Sequence, residues 1–332
     1  MTTTLSISPV DVFDRVRRSA TQETAAGLRQ LQFLAMGTLC RVHFRTLNPA
    51  LARDFQMDVL HWVAQFEAKY SRFIPESLIG RINAAAGLHW VETDPETENI
   101  LKLCGEMVFF TRNVFDPTSL PLIQLWNWKA KPPVVPTEAQ IAETRELCGW
   151  NRIERRAGGI FLPRAGMCLD LGGIGKEYAV DCVTMMALER GIADVLVDFG
   201  QDVRVHGAPP DGGSWHIGLE DPKNPGKTWT GVAVTNHAVA TSGDYLRHFT
   251  SDGRRYGHII DPRNGLPVWN TCLSVSVIAP TCTVAGILST SAFILGPRDG
   301  LNLISLCPGV EGCLVSEQGL HPSKNFYAYA TR

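Results

Sequence analysis

The feature that most limits what this chain can fold into is the crowding of short strand patterns after residue 192. Eight segments stand there in succession: ADVLVDFG, DVRVHG, SWHIGLE, TGVAVTNHAVAT, RYGHIID, LSVSVIA, GCLVSE and NFYAYA. Each is rich in β-branched or aromatic residues and is bounded by Gly, Pro, Asn or Asp, the residues that punctuate strands. One apolar helical pattern, TVAGILSTSAFILG at 283–296, lies between the sixth and the seventh. The first half reads differently. In LARDFQMDVLHWVAQFEAKY the apolar positions Phe55, Val59, Trp62, Val63, Phe66 and Tyr70 step by three and four, which predicts an amphipathic helix. Residues 96–112 predict a second helix, and Thr137 is placed to cap a third. FLAMGTLCRVHF reads as a strand after a glycine turn, FLPRAGMCLDLGGIG as strand, turn, strand, and KEYAVDCVTMMALERG as a helix closed by Gly191. Helices first, then strands with intercalated helices, point to an α+β architecture: one large domain over 31–332 of mostly antiparallel strands with packed helices, preceded by a frayed or helical lead-in over 1–30.

Charge and cysteine usage exclude several functional classes. Lys plus Arg number 31 against 33 Asp plus Glu, a net charge of −2, with no basic stripe for nucleic acid or an anionic membrane. The nine cysteines are scattered singly with no CxxC, as expected of reduced thiols in a cytoplasmic protein. The N-terminal stretch has no apolar core for export. Arg17–Arg18 and the LAMGTLC around Cys40 only superficially resemble twin-arginine and lipoprotein signals. No run approaches the ~20 apolar residues of a membrane span.

Four stretches can carry chemistry. LDLGGIGKEYAVD (169–181) runs a glycine turn straight into a helix start, where free N–H groups and the helix dipole suit an anion such as phosphate. It is neither a Walker A loop nor a dinucleotide fingerprint, and an ordinary tight turn gives the same pattern. ATSGDYLRHF (240–249) and RYGHIIDPRNGLPV (255–268) bring Thr241, Ser242, Asp244 and His258 beside turns centred on SDGRR and DPRNG. His258, read as lying inside an apolar strand, is either a hydrogen-bonded structural histidine or a base. Asp116 and Thr118 of FDPTSLPL are either turn caps or ligands, and SRFIPESLIGRIN offers Arg72 and Ser77 on a loop. With no HExxH, paired histidines or cysteine cluster, any metal would be a hard cation held by oxygen.

In their order along the chain, AMGT (35–38), the SRF…RIN stretch (71–83), FDPT (115–118), LDLGGIGKEYAVD, ATSGDY (240–245), HIIDPRNGLPV (258–268) and SVSVIAPT…LST (274–290) resemble the FAD:protein FMN transferase family, also called ApbE. The resemblance implies a T-fold-like α+β domain that uses FAD as a substrate, together with Mg²⁺. A Thr or Ser hydroxyl of an acceptor flavoprotein attacks the pyrophosphate and AMP leaves. It further implies that Met36, Asp116, Lys176, Asp181, Thr241, Ser242 and Asp244 surround the nucleotide. His258 would be the general base, and the Gly175 carbonyl and Thr290 would be metal ligands.

The chain departs from the family pattern where the cation would sit. The usual A-D-A-L-S-T reads Ala285-Gly286-Ile287-Leu288-Ser289-Thr290, so the ligand carboxylate is replaced by glycine. Glu177 stands where the family has glycine, Gln201 alters N-x-G-G-D, and Leu120 replaces another glycine. Two readings follow: an active transferase whose cation is held by Thr290, the Gly175 carbonyl, substrate phosphates and a relocated carboxylate such as Glu177, or a catalytically impaired FAD-binding homologue. FAD hydrolysis would need the same cation. If the missing carboxylate is the whole defect, Gly286→Asp restores turnover.

Overall fold

The computed structural model describes residues 9–25 and 27–331. Its centre is a nine-stranded sheet: β1 (Thr21–Ala25), β2 (Leu28–Ala35), β3 (Thr38–Phe44), β4 (Val195–Phe199), β5 (Asp202–His206), β6 (Ala238–Gly243), β7 (Cys272–Ala279), β8 (Glu311–Ser316) and β9 (Gly319–Pro322). The strands lie side by side in chain order, and every neighbouring pair is antiparallel. Eight helices accompany it among the described residues: α1 (Pro9–Arg18), α2 (Pro49–Tyr70), α3 (Leu78–Ala84), α4 (Pro95–Phe110), α5 (Leu120–Trp126), α6 (Glu138–Arg145), α7 (Gly175–Glu189) and α8 (Cys282–Ser305).

The period-2 alternation of the strands divides their side chains between two cores. Val197, Ala238, Ala240, Val275, Val277 and Leu314 join one large cluster with α2, α7 and α8, while Val203, Val205, Val239, Ile278 and Cys313 join a second. The second core includes Trp215, Leu219, Val232, Val234 and Phe326, from or beside the smaller sheet of strands 215–220, 228–234 and 330–331. A third, small cluster joins Leu122 and Trp126 of α5, Ile141 of α6, Cys148, Phe249 and Ile260, fixing the 248–257 hairpin to the α5–α6 region.

The amphipathic spacing of 55–70 becomes α2, which begins at Asn48, whose side chain accepts from the Ala50 and Leu51 N–H groups at 3.0 and 3.2 Å. Thr137 closes a full capping box with Gln140. Gly191, at φ +74°, follows α7.

Several expectations are corrected. The lead-in, read as frayed or helical, does hold a helix, α1, whose Val12 and Val16 are buried beside α2, but it also supplies β1, the outer strand of the main sheet; residues 1–8 lie outside the described residues. CLDL is not a strand. Its backbone is taken up elsewhere: Leu169 exchanges hydrogen bonds with the Asn83 side chain at 2.7 and 2.9 Å, and the Asp170 N–H donates to the Pro117 carbonyl at 2.8 Å. TGVAVTNHAVAT is two strands, separated at Asn236, which takes φ +54°. RYGHIID is interrupted, and His258 sits in the bend between 254–257 and 260–261 rather than in a strand. NFYAYA forms a 3₁₀ turn and a two-residue strand. The helix read over 283–296 runs on to Ser305, kinked where Gly296 (φ +80°) precedes Pro297.

Candidate functional site

The glycine turn expected to face an anion is a real helix start. The Ile174 and Gly175 N–H groups donate back to the Leu171 carbonyl at 3.0 and 2.6 Å, closing the turn that opens α7. Asp170 accepts from the Gly172 N–H at 3.0 Å, and Arg72 lies 3.6 Å from its carboxylate. Burial pushes the Asp170 carboxyl above the usual range, and Arg72 works against that shift. Ser77 serves locally: its hydroxyl accepts from the Gly80 N–H at 2.8 Å and starts α3.

The first turn of α7 brings Lys176 and Glu177 to the place where α7, β5 and α8 meet. Lys176 pairs with Asp202, and its ammonium lies 3.6 Å from Glu177 Oε1. Asp202 opens β5 after a tight turn in which Gly200 and Gln201 take φ of +66° and +75°. Its carboxyl is driven upward by burial and by the Glu177 charge beside it.

Gly286 of α8 faces this cluster. A Cβ built there would lie 2.6 Å from Glu177 Cγ and 3.1 Å from Cδ. The glutamate side chain therefore occupies the space a side chain at 286 would need. Glu177 is 7% exposed, and its Oε2 is buried with no hydrogen-bond partner. Sequence reading named Glu177 as a departure, but the contact joins two helices far apart in the chain. Asp202 and Arg255 were missed; each is an ordinary charged residue until the fold supplies its partner.

Thr290 lies one helical turn beyond Gly286. The Ser242 hydroxyl on β6 is 2.8 Å from both Thr290 Oγ1 and Ser289 Oγ, and Thr241 Oγ1 is 2.8 Å from Ser276 Oγ. Ser242 and Thr290 are thus in direct contact, while Gly175 and Lys176 stand on α7, which packs against α8. No group of three or more His, Cys, Asp or Glu side chains is arranged as a metal cage among the described residues.

Asp244 and His258 form a neighbouring unit. Asp244 is buried and pairs with Arg255 at 2.7 Å; burial raises its carboxyl and Arg255 opposes the rise. Gly257 is required here, since any Cβ would overlap the Asp244 carboxylate. Gly257→Ala is therefore expected to destabilise the protein by about 1–3 kcal/mol through overpacking, measured by urea denaturation, and to loosen the Asp244–Arg255 pair. His258 Nδ1 lies 3.2 Å from the Arg247 carbonyl oxygen. A carbonyl only accepts, so Nδ1 carries the hydrogen and Nε2 the lone pair. Burial and the Arg247 charge lower the His258 pKa to about 4.

The remaining expected residues lie elsewhere. Asp116 accepts from the Thr118 N–H and hydroxyl at 2.8 and 2.7 Å and from the Trp150 N–H at 3.2 Å. It also lines a cavity of about 140 Å³ with Asn113, Gly149 and Arg263. Met36, at φ +50° in the β2–β3 turn, donates its N–H to Glu67 of α2 at 2.9 Å. Asp181 is turned to the start of α8. It accepts from the Cys282 and Thr283 N–H groups at 2.8 and 2.9 Å, from the Thr283 hydroxyl at 2.7 Å and from Arg204 at 2.8 Å.

Comparison with known proteins agrees with this architecture. The profile described as "ApbE family" matches residues 36–314. A Treponema pallidum protein named FAD:protein FMN transferase is 31% identical over 302 residues, which cover 85% of this chain and 83% of that one. A Vibrio cholerae protein of the same name is 28% identical, covering 80% and 81%. The crystal structure of the Thermotoga maritima ApbE protein superposes with a TM-score of 0.82 at 30% identity, over 92% of this chain and all (100%) of that one. The Vibrio cholerae flavin transferase ApbE gives 0.81 at 25% identity, over 93% and 99%. Matched along most of its length in both sequence and fold, the chain belongs to the ApbE family.

Proposed function

We propose that this protein is an FAD:protein FMN transferase, moving FMN from FAD to a Thr or Ser hydroxyl of an acceptor flavoprotein with release of AMP. Relatives of that name share more than four-fifths of their length with it. The acceptor oxygen bonds to the phosphorus on the FMN side, and the bond from that phosphorus to the bridging oxygen breaks. AMP departs with the bridging oxygen, and the hydroxyl proton passes to His258 Nε2. Lys176 and the start of α7 offer positive charge to the phosphates. Ser242, Thr241 and Asp244, with Asp116 and Met36 on neighbouring loops, would orient the nucleotide.

The corner at α7 and α8 suits a hard divalent cation, because it contains a buried acidic oxygen with no hydrogen-bond partner among the described residues. The Thr290 hydroxyl and the Gly175 carbonyl would be among its ligands. Mg²⁺ bound there supplies positive charge to the pyrophosphate as negative charge builds on the departing AMP.

The observation that carries an active enzyme over an impaired homologue is the Glu177 carboxyl filling the space beside Gly286. The impaired reading assumed a corner without an acidic side chain. All nine cysteines are free, which suits a reducing compartment, and we place the acceptor in the cytoplasm on that ground.

Incubation with FAD, Mg²⁺ and a flavin-acceptor domain is expected to yield AMP and a fluorescent acceptor band that survives denaturation. FAD binding without either product overturns the reading.

A further inference from the structure

We infer that Glu177 is this chain's anionic metal ligand, supplied from α7 through the gap that Gly286 leaves in α8. The inference deepens the transferase reading above and rests on it for the identity of the bound nucleotide. Three observations carry it. Glu177 is 7% exposed, yet Oε2 has no partner. The other oxygen, Oε1, lies 3.6 Å from the Lys176 ammonium, and the Asp202 carboxyl, which engages the same lysine, also borders Glu177. The Glu177 Cγ, Cδ and Oε1 lie 2.6, 3.1 and 3.2 Å from where a Cβ at 286 would stand.

A buried carboxylate left half-satisfied is costly, so the arrangement calls for a positive partner at Oε2. Lys176 is committed on the other side. The oxygen donors available along the same face of α8 begin with Thr290, one turn further on. A carboxylate against Gly286, with a hydroxyl one turn along the same helix, offers hard oxygens of the kind Mg²⁺ or Mn²⁺ takes.

Positions 177 and 286 therefore act as one unit. A carboxylate is supplied by α7 when 286 is glycine, and a side chain at 286 enters only by displacing that of Glu177. On this inference Gly286→Asp alone adds no ligand, since the new side chain meets Glu177 Cγ and displaces the existing carboxylate.

The test uses the full chain saturated with FAD, with Mn²⁺ as the probe and electron paramagnetic resonance reporting bound metal. Glu177→Gln is expected to weaken Mn²⁺ binding by about 10–100-fold, with FAD affinity, read by flavin fluorescence, changed less than about threefold. Gly286→Asp is expected to lose affinity as well. The double variant Glu177→Gly/Gly286→Asp is expected to return to within about threefold of the parent. Melting without metal adds a second readout: Glu177→Gln keeps or raises Tm if Oε2 is a ligand awaiting its cation, and lowers it if the group serves only as a structural partner of Lys176. Parent-like Mn²⁺ binding by Glu177→Gln overturns the inference, as does a double variant that melts like the parent but binds no Mn²⁺. AMP release with a cation affinity indifferent to Glu177 leaves the transferase reading standing and removes this one. Glu177-dependent Mn²⁺ binding with no AMP from any acceptor does the reverse.

Discussion

His258→Ala is expected to slow AMP release from FAD by about 10²–10⁴-fold, the usual contribution of a positioned general base, while FAD affinity stays within about threefold. Among the described residues the side chain makes one hydrogen bond, from Nδ1 to the Arg247 carbonyl, and its ring sits edge-on to Trp128 with centroids 6.2 Å apart. Its removal therefore takes away a proton acceptor more than a packing element. His258→Gln, which fills similar space without a basic nitrogen, is expected to be as slow as alanine. A merely structural histidine would be rescued by it.

The pH profile adds a sharper check. The His258 pKa is lowered to about 4, first by burial and then by Arg247, so the neutral, proton-accepting form persists far below the ordinary imidazole range. In the free protein, kcat/KM is expected to stay flat from pH 8 to about 5 and to fall only as pH approaches 4. Binding FAD brings a pyrophosphate dianion near the ring, which favours the imidazolium and moves its pKa upward. The acid limb of kcat is therefore expected at higher pH than that of kcat/KM. Identical limbs near pH 6.5 for both parameters would mean that another group is titrating.

What was legible in the sequence was what depends on neighbours along the chain. The spacing of Phe55 to Tyr70 specified α2, Thr137 and Gln140 specified a capping box, and Asp252–Gly253 and Asn264–Gly265 specified hairpin turns. CLDL looked like a strand and is not, because Asn83 and Pro117 take its backbone groups from distant loops. Asn236 breaks an apparently continuous strand by adopting a left-handed conformation that its side chain tolerates. At the site the same division holds. Thr290, Lys176 and Ser242 stand out as candidates from their motifs, and the fold brings Ser242 to 2.8 Å from Thr290; Gly286 reads from the sequence as a missing carboxylate. Only the packing of α7 on α8 reveals that Glu177 fills the gap, since the contact is steric and has no local signature.

Asp181→Ala is expected to lower stability by about 2–3 kcal/mol, the cost of removing a partly buried carboxylate that accepts charge-assisted hydrogen bonds, and Tm by roughly 4–8 °C. Its carboxylate accepts four hydrogen bonds: from Arg204, from two N–H groups at the start of α8 and from the Thr283 hydroxyl. Alanine leaves the guanidinium, 17% exposed, without its anion and removes the negative charge that favours this helix start. Asp181→Asn retains one acceptor oxygen but turns an amide N–H₂ toward donors, so an intermediate loss is expected. Because α8 carries both Gly286 and Thr290, loosening its start also blurs the cation corner. The comparison is therefore made well below the melting temperature. There FAD affinity is expected to remain within about threefold of the parent, for the bonds of Asp181 go to the start of α8 and to Arg204 of β5. A tenfold or greater loss of FAD affinity with Tm unchanged would return Asp181 to the nucleotide. A large fall in Tm with FAD affinity preserved establishes it as the clasp that sets α8, and with it Thr290, in register with α7.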